Sequence, residues 1–166
     1  MKKSFFLLLL LPLFTHAQKL KSSVDKLTGD TIVATSYQLL GSASNNTLNF
    51  SIKKEKDRTL LQLWLTMYNE YLPKVHKGAD LSFKLANGSI VTLHATENFE
   101  SEPKDFSDLR KGVWLSPRYE LNDADSKQLQ TYPVVLLRFH YNTSYMDFDV
   151  DKEDQARIMN AIRVIK

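Results

Sequence analysis

Residues 81–93 read LSFKLANGSIVTL, and this stretch decides the fold. Leu81, Phe83 and Leu85 alternate with Ser82 and Lys84, and Val91 and Leu93 resume the alternation after Asn87-Gly88. A period of two puts every second side chain on one face of a strand, so the stretch predicts two half-buried strands joined by a turn. A tight Asn-Gly turn would pair Phe83 with Thr92 and mix apolar with polar faces. A loop of Ala86, Asn87 and Gly88 instead pairs Phe83 with Val91 and Leu81 with Leu93. One slip in register moves every side chain to the wrong face, so the longer loop is expected, with Gly88 as its left-handed bulge residue.

The same alternation runs outward from residue 30 to 150. Asp30 to Tyr37 is rich in β-branched residues; Leu48, Phe50 and Ile52 alternate with polar neighbours, as do Leu61, Leu63, Leu65 and Met67. Keeping these apolar sets together pairs Ile52 with Leu61 and Phe50 with Leu63, with Glu55 to Arg58 as the loop. Gly112 to Ser116 is a short apolar strand, and Tyr132 to Tyr141 pairs with Tyr145 to Val150. Asn98 to Lys111 (NFESEPKDFSDLRK) is acidic, polar and contains Pro103; it reads as a long mobile loop.

Two helices come late. Asn122 is the expected N-cap for a short polar helix near 123–130. Asp151 caps a second near 152–163, where Ile158, Met159, Ile162 and Ile165 fall on one face and acidic residues fill the first turn. The expected fold is therefore α+β and mainly antiparallel β: a curled sheet or β-sandwich of about seven to eight strands with the C-terminal helix against it.

In the last hairpin, joining the apolar faces pairs Tyr141 with Met146, Phe139 with Phe148 and Leu137 with Val150. That register places His140 opposite Asp147 and Arg138 opposite Asp149 on the other face, an outward row of opposite charges.

The chain has 166 residues and no cysteine, so disulfides, thiolate metal sites and a cysteine nucleophile are excluded. Met1 to Ala17 reads as a secretory signal: Lys2 and Lys3, an apolar run from Phe5 to Phe14, and Thr15-His16-Ala17 before a cleavage point at Gln18. The run is shorter than the ~20 residues that span a bilayer as a helix. Removing it leaves residues 18–166 as a single mainly-β domain with 20 basic and 19 acidic side chains. So even a balance argues against nucleic acid and against an electrostatic membrane binder. Mass spectrometry of the exported protein should give a mature chain starting at Gln18; an intact N-terminus would contradict the assignment.

Beyond the signal, the chain opens on Val24-Asp25-Lys26-Leu27-Thr28-Gly29-Asp30-Thr31 and continues to Phe83–Leu93 (FKLANGSIVTL), a tyrosine-flanked hairpin and a closing amphipathic helix. In this it resembles small secreted proteins of Bacteroidetes bacteria. The resemblance implies export by a Gram-negative cell, to the periplasm or outer surface, and assigns no residue a role.

Motifs for catalysis are absent. Asp147, Asp149, Asp151 and Asp154 fail the calcium-loop pattern, with Lys152 and Ile158 where glycine and glutamate belong. His76, His94 and His140 lack the local spacing of zinc ligands. There is no nucleophile elbow and no phosphate-binding glycine loop, so no metal or other cofactor is expected. The candidate binding residues are Arg138, His140, Asp147 and Asp149 of the last hairpin, and Trp64 and Tyr68. The latter two share the face opposite Leu61, Leu63, Leu65 and Met67. In solvent they make an aromatic strip; in a strand buried on both faces, loops or the C-terminal helix cover them. Two classes follow: a non-catalytic binding or envelope-structural module for a protein or glycan partner, or a small periplasmic hydrolase around His140 and Asp147.

Overall fold

The computed structural model describes residues 19–43, 46–68, 72–107 and 110–165. The expected signal and its cleavage point lie outside them. Fourteen strands and two helices occur among the described residues. The larger sheet contains β1 (Leu20–Val24), β2 (Thr31–Thr35), β3 (Gln38–Ala43), β4 (Asn46–Glu55), β5 (Arg58–Met67), β10 (Glu102–Ser107), β11 (Arg110–Leu115) and β12 (Arg118–Glu120). Its order is β1-β2-β4-β5-β11-β10, with β3 also on β4 and β12 also on β5. The smaller sheet runs β14-β13-β7-β8, from β7 (Asp80–Leu85), β8 (Ile90–His94), β13 (Val134–Tyr141) and β14 (Ser144–Asp149). The short strands β6 (Lys74–Val75) and β9 (Phe99–Glu100) pair with each other. All pairings are antiparallel.

The two sheets share one core. Leu48, Phe50, Leu63 and Leu65 of the larger sheet and Phe83, Leu93, Phe139 and Phe148 of the smaller are all fully buried in the same apolar cluster. Helix α2 (Lys152–Ile165) adds Ile158, Ala161, Ile162 and Ile165 to that cluster, and α1 (Asp123–Thr131) adds Leu129. Both caps form as expected: Asn122 Oδ1 accepts from the Asp125 N–H, and Asp151 Oδ1 accepts from the Asp154 N–H, each at 2.9 Å. The architecture is thus α+β, two antiparallel sheets with helices closing the core.

The hairpin that decided the fold has the expected register: Phe83 pairs with Val91 and Leu81 with Leu93. The Gly88 N–H donates to the Leu85 carbonyl, and the Leu85 N–H to the Ser89 carbonyl, each at 2.9 Å. Gly88 has φ +87°, so Gly88→Val should cost on the order of 1–2 kcal/mol. A melting temperature unchanged by that substitution would refute the bulge. Ile52 pairs with Leu61 and Phe50 with Leu63, also as expected.

Three expectations need correction. The ladder of β4 and β5 continues to Glu55 opposite Arg58, so the turn is only Lys56-Asp57, with Lys56 left-handed at φ 51°. Residues 98–111 contain β9, β10 and the start of β11 in place of the long loop. Among the described residues, strand β10 pairs only with β11, so its side chains need no apolar face. Its Pro103 and its charges suit an edge. Such short, polar edge strands also raise the strand total above seven or eight.

The third correction concerns the last hairpin. Tyr141 pairs with Ser144, Phe139 with Met146, Leu137 with Phe148 and Arg138 with Asp147. This is a shift of two residues from the expected register, and it keeps the same faces together. Burial fixes only the parity of a register; the turn fixes the rest. Asn142, at φ 47°, lets Asn142-Thr143 close a tight turn.

Candidate functional site

The outer face of the smaller sheet carries most of the charged candidates. The shifted register brings Arg138 to Asp147, not to Asp149, and leaves His140 opposite Tyr145. Arg138 Nε donates to Asp147 Oδ1 at 2.7 Å and Nη2 to Oδ2 at 2.8 Å, a bidentate pair. The guanidinium also lies 4.1 Å from the Tyr145 ring centroid, and the His140 ring tilts 44° to Tyr145 at 5.9 Å. Asp149 sits opposite Leu136, two residues along the same face from Asp147, and is exposed.

The Arg138 hydrogen bonds are the main cause holding the Asp147 carboxyl below its ordinary value; its slight burial opposes them, and the charges of Arg138 and His140 help. Both oxygens of Asp147 therefore serve an arginine, and the carboxylate does not orient His140 as a base. The depressed value means that the pair's contribution is present above the ordinary carboxylate range. It is lost as pH falls through the folded value. In Arg138→Met the Asp147 carboxyl should titrate closer to an ordinary aspartate, as read by NMR of its side-chain carbon. An unchanged titration would show that the pair does not form in solution.

The histidine–carboxylate pair of this sheet is elsewhere. Asp80 lies opposite His94, with His94 Nδ1 and Asp80 Oδ1 2.9 Å apart. The register of residues 81–93, extended by one pair, would have found it. Among the described residues, no three His, Asp or Glu side chains stand together where they could hold a metal ion.

The outer face of the larger sheet carries the aromatic candidates. Trp64 stacks on Trp114 with ring centroids 4.5 Å apart and an interplanar angle of 25°. Tyr37 meets Trp64 edge-on at 5.5 Å, and Lys104 Nζ lies 5.8 Å from the Trp114 ring centroid. These four make a ladder across the sheet, from the start of β3 to β10. The C-terminal helix does not cover it, because α2 packs into the core on the opposite face. Asn49 faces Trp64 and Leu39 faces Asn49, so Leu39 flanks the ladder. Tyr37 is 48% exposed, Leu39 40% and Tyr68 39%, while the two indoles are half-buried in their own stack. Tyr68 follows the end of β5 beside the ladder. Trp114 escaped the sequence reading, although its alternation with buried Val113 and Leu115 marks it as outward.

A third feature is a groove of 740 Å³ beside strand β8, whose walls include Thr92, His94, Arg58, Glu120 and Asp125. It does not contain His140. No helix among the described residues is long and apolar enough to cross a membrane. No family model matches the chain, and neither the curated proteins nor the solved structures give a match.

Proposed function

We propose that the chain is an exported, non-catalytic binding or structural module of the cell envelope of a Bacteroidetes-like bacterium, with a protein or glycan partner. The supporting observation is the ladder of Tyr37, Trp64 and Trp114 with Leu39 beside it, on a sheet face that the helices leave open. Contiguous exposed apolar surface of this kind marks interaction sites, and aromatic rings supply contact area at low entropic cost. Each indole stacks on the other, and Tyr37 and Leu39 add exposed apolar surface beside them for a partner. The near-even charge fits recognition by shape and apolar contact more than by long-range steering.

The hydrolase alternative draws less support, because Arg138 occupies the carboxylate that would have oriented His140. A screen of the mature chain against ester, phosphate and glycoside substrates separates the two readings. The module reading expects no turnover that His140→Ala removes. A glycan array and capture from envelope extract then identify the partner. Turnover abolished by His140→Ala would overturn the reading.

A further inference from the structure

We propose that two copies of this chain associate through β1, which pairs antiparallel with itself and joins their larger sheets; the inference stands apart from the aromatic ladder. It begins with the backbone. The Asp25 N–H donates to the Asp30 carbonyl at 2.8 Å, and the Ser36 N–H to the Lys19 carbonyl at 3.0 Å. In the register that pairs Leu20 with Thr35 and Val24 with Thr31, these bonds turn the backbone groups of odd-numbered residues toward β2. Ladder bonds alternate along an antiparallel strand, so Leu20, Ser22 and Val24 turn theirs outward. Strand β1 ends the order of its sheet, is exposed at every position, and pairs with β2 alone among the described residues.

Other edges are closed in ways that β1 is not. Strand β10 carries Pro103 and charges, and β14 lies against β3, with Gly41 close to Phe148 and the Asp149 carbonyl. Strand β8 is flanked by α1 and β12.

The sequence of β1 selects a second copy as its occupant. Outward groups meet only when even-numbered residues pair with even-numbered residues. A two-fold axis at Ser22 does this: it pairs Ser22 with its own counterpart and Leu20 with Val24 of the second copy. Both apolar side chains are on the core side, because Ser22 lies opposite Val33, which packs against the core. In the single chain Leu20 is 48% and Val24 62% exposed, and each would cover the other across the axis. The same axis sets Lys19 opposite Asp25 of the second copy, in a pair without mutual hydrogen bonds, where side chains approach most closely. Asp25 is held for this by its turn, its Oδ1 accepting from the Leu27 and Thr28 N–H groups at 2.8 and 2.9 Å. Lys21 falls opposite Ser23 of the second copy. The two Lys21 side chains lie diagonally across the axis, each also diagonal to an Asp25 of the other copy.

Neighbouring registers are worse. Sliding by two residues one way sets Lys21 against Lys21 of the second copy, and the other way sets Leu20 against Lys26. The lysine that commonly guards an edge here excludes the wrong register and leaves the central one. Such pairing is isologous, with the axis perpendicular to the sheet, so both copies turn their aromatic ladders to the same side.

A contact of one short strand a side is small, so association is expected to be reversible. Sedimentation equilibrium of the exported chain should show monomer and dimer exchanging with concentration. Ser22→Pro removes an N–H that β2 does not use, so dimerisation should weaken at least tenfold at an unchanged melting temperature. Lys19→Glu sets carboxylate against carboxylate and should also weaken it at least tenfold. Register is read with introduced thiols, because the chain has no cysteine. The two Ser22 Cα atoms would lie about 5.5 Å apart, within disulfide reach, while the two Leu20 Cα atoms are offset along the strands and beyond it. With oxidised glutathione as oxidant, Ser22→Cys should cross-link at least tenfold faster than Leu20→Cys. A monomer at every concentration would overturn the proposal, as would equal cross-linking rates or dimers indifferent to Ser22→Pro and Lys19→Glu. Amide exchange at Leu20, Ser22 and Val24 that slows only when envelope extract is added to a monomeric chain would assign the edge to another protein and overturn the dimer.

Discussion

Phe83→Ala is expected to destabilise the protein by about 3–5 kcal/mol, the usual cost of emptying a fully buried aromatic site. Phe83 is inaccessible to solvent, on β7 between Val91 and Leu137, in the cluster that joins both sheets and α2. Domains of this size are stable by roughly 5–15 kcal/mol, so one truncation would remove a large part of that margin. Ile90→Ala in the same hairpin is the control. Ile90 is exposed, and its truncation should stay within about 0.5 kcal/mol. Urea unfolding of the two variants decides: equal midpoints would mean that the sheets do not share a core.

The second large effect concerns a buried charge. Asp154 is 4% exposed at the start of α2, and its carboxylate pairs with Arg157 one turn later. Burial pushes the Asp154 carboxyl above its ordinary value, and Asp151 adds to that; Arg157 opposes both. Arg157→Met leaves the carboxylate buried without its cation. A loss of about 1–3 kcal/mol is expected at neutral pH, at the lower end for buried pairs because Arg157 is partly exposed. The sign with pH follows from the raised value. The folded state holds this proton more tightly than the unfolded state. Stability from Asp154 is therefore fully present below the unfolded value and falls as pH rises through the folded one. Removing Arg157 raises the folded value further, so the gap between variant and wild type should close on acidification. Unfolding free energies measured from neutral pH to below pH 3.8, the ordinary aspartate value, check this. A gap independent of pH would place the loss in packing of the arginine stem.

Such charges and faces were legible in the sequence to different degrees. Where two apolar sets had to meet, as in Phe50 with Leu63 and Phe83 with Val91, alternation and turn chemistry gave the register. In the last hairpin the apolar residues fixed only the parity. The left-handed Asn142 then shifted Arg138 from Asp149 to Asp147 and separated His140 from the carboxylate it was expected to meet. Strand β1 is exposed at every position, and β10 is polar. Both owe their place to backbone pairing at an edge, which leaves no hydrophobic trace. Trp64 was legible as outward, but its partner Trp114 sits fifty residues away, and only the pairing of β5 with β11 brings them together.

The open aromatic face of the larger sheet is the surface we propose for the protein's interaction. Its most direct test is quantitative capture from envelope extract, followed by affinity measurement with the captured partner. The mature chain is compared with Leu39→Asp, which puts a charge beside the aromatic ladder, and with Arg138→Ala, which alters the other sheet. Leu39→Asp should bind at least tenfold more weakly, with an unchanged fold by circular dichroism, while Arg138→Ala should bind as the wild type does. Full binding by Leu39→Asp together with loss in Arg138→Ala would contradict it and move the interaction to the smaller sheet.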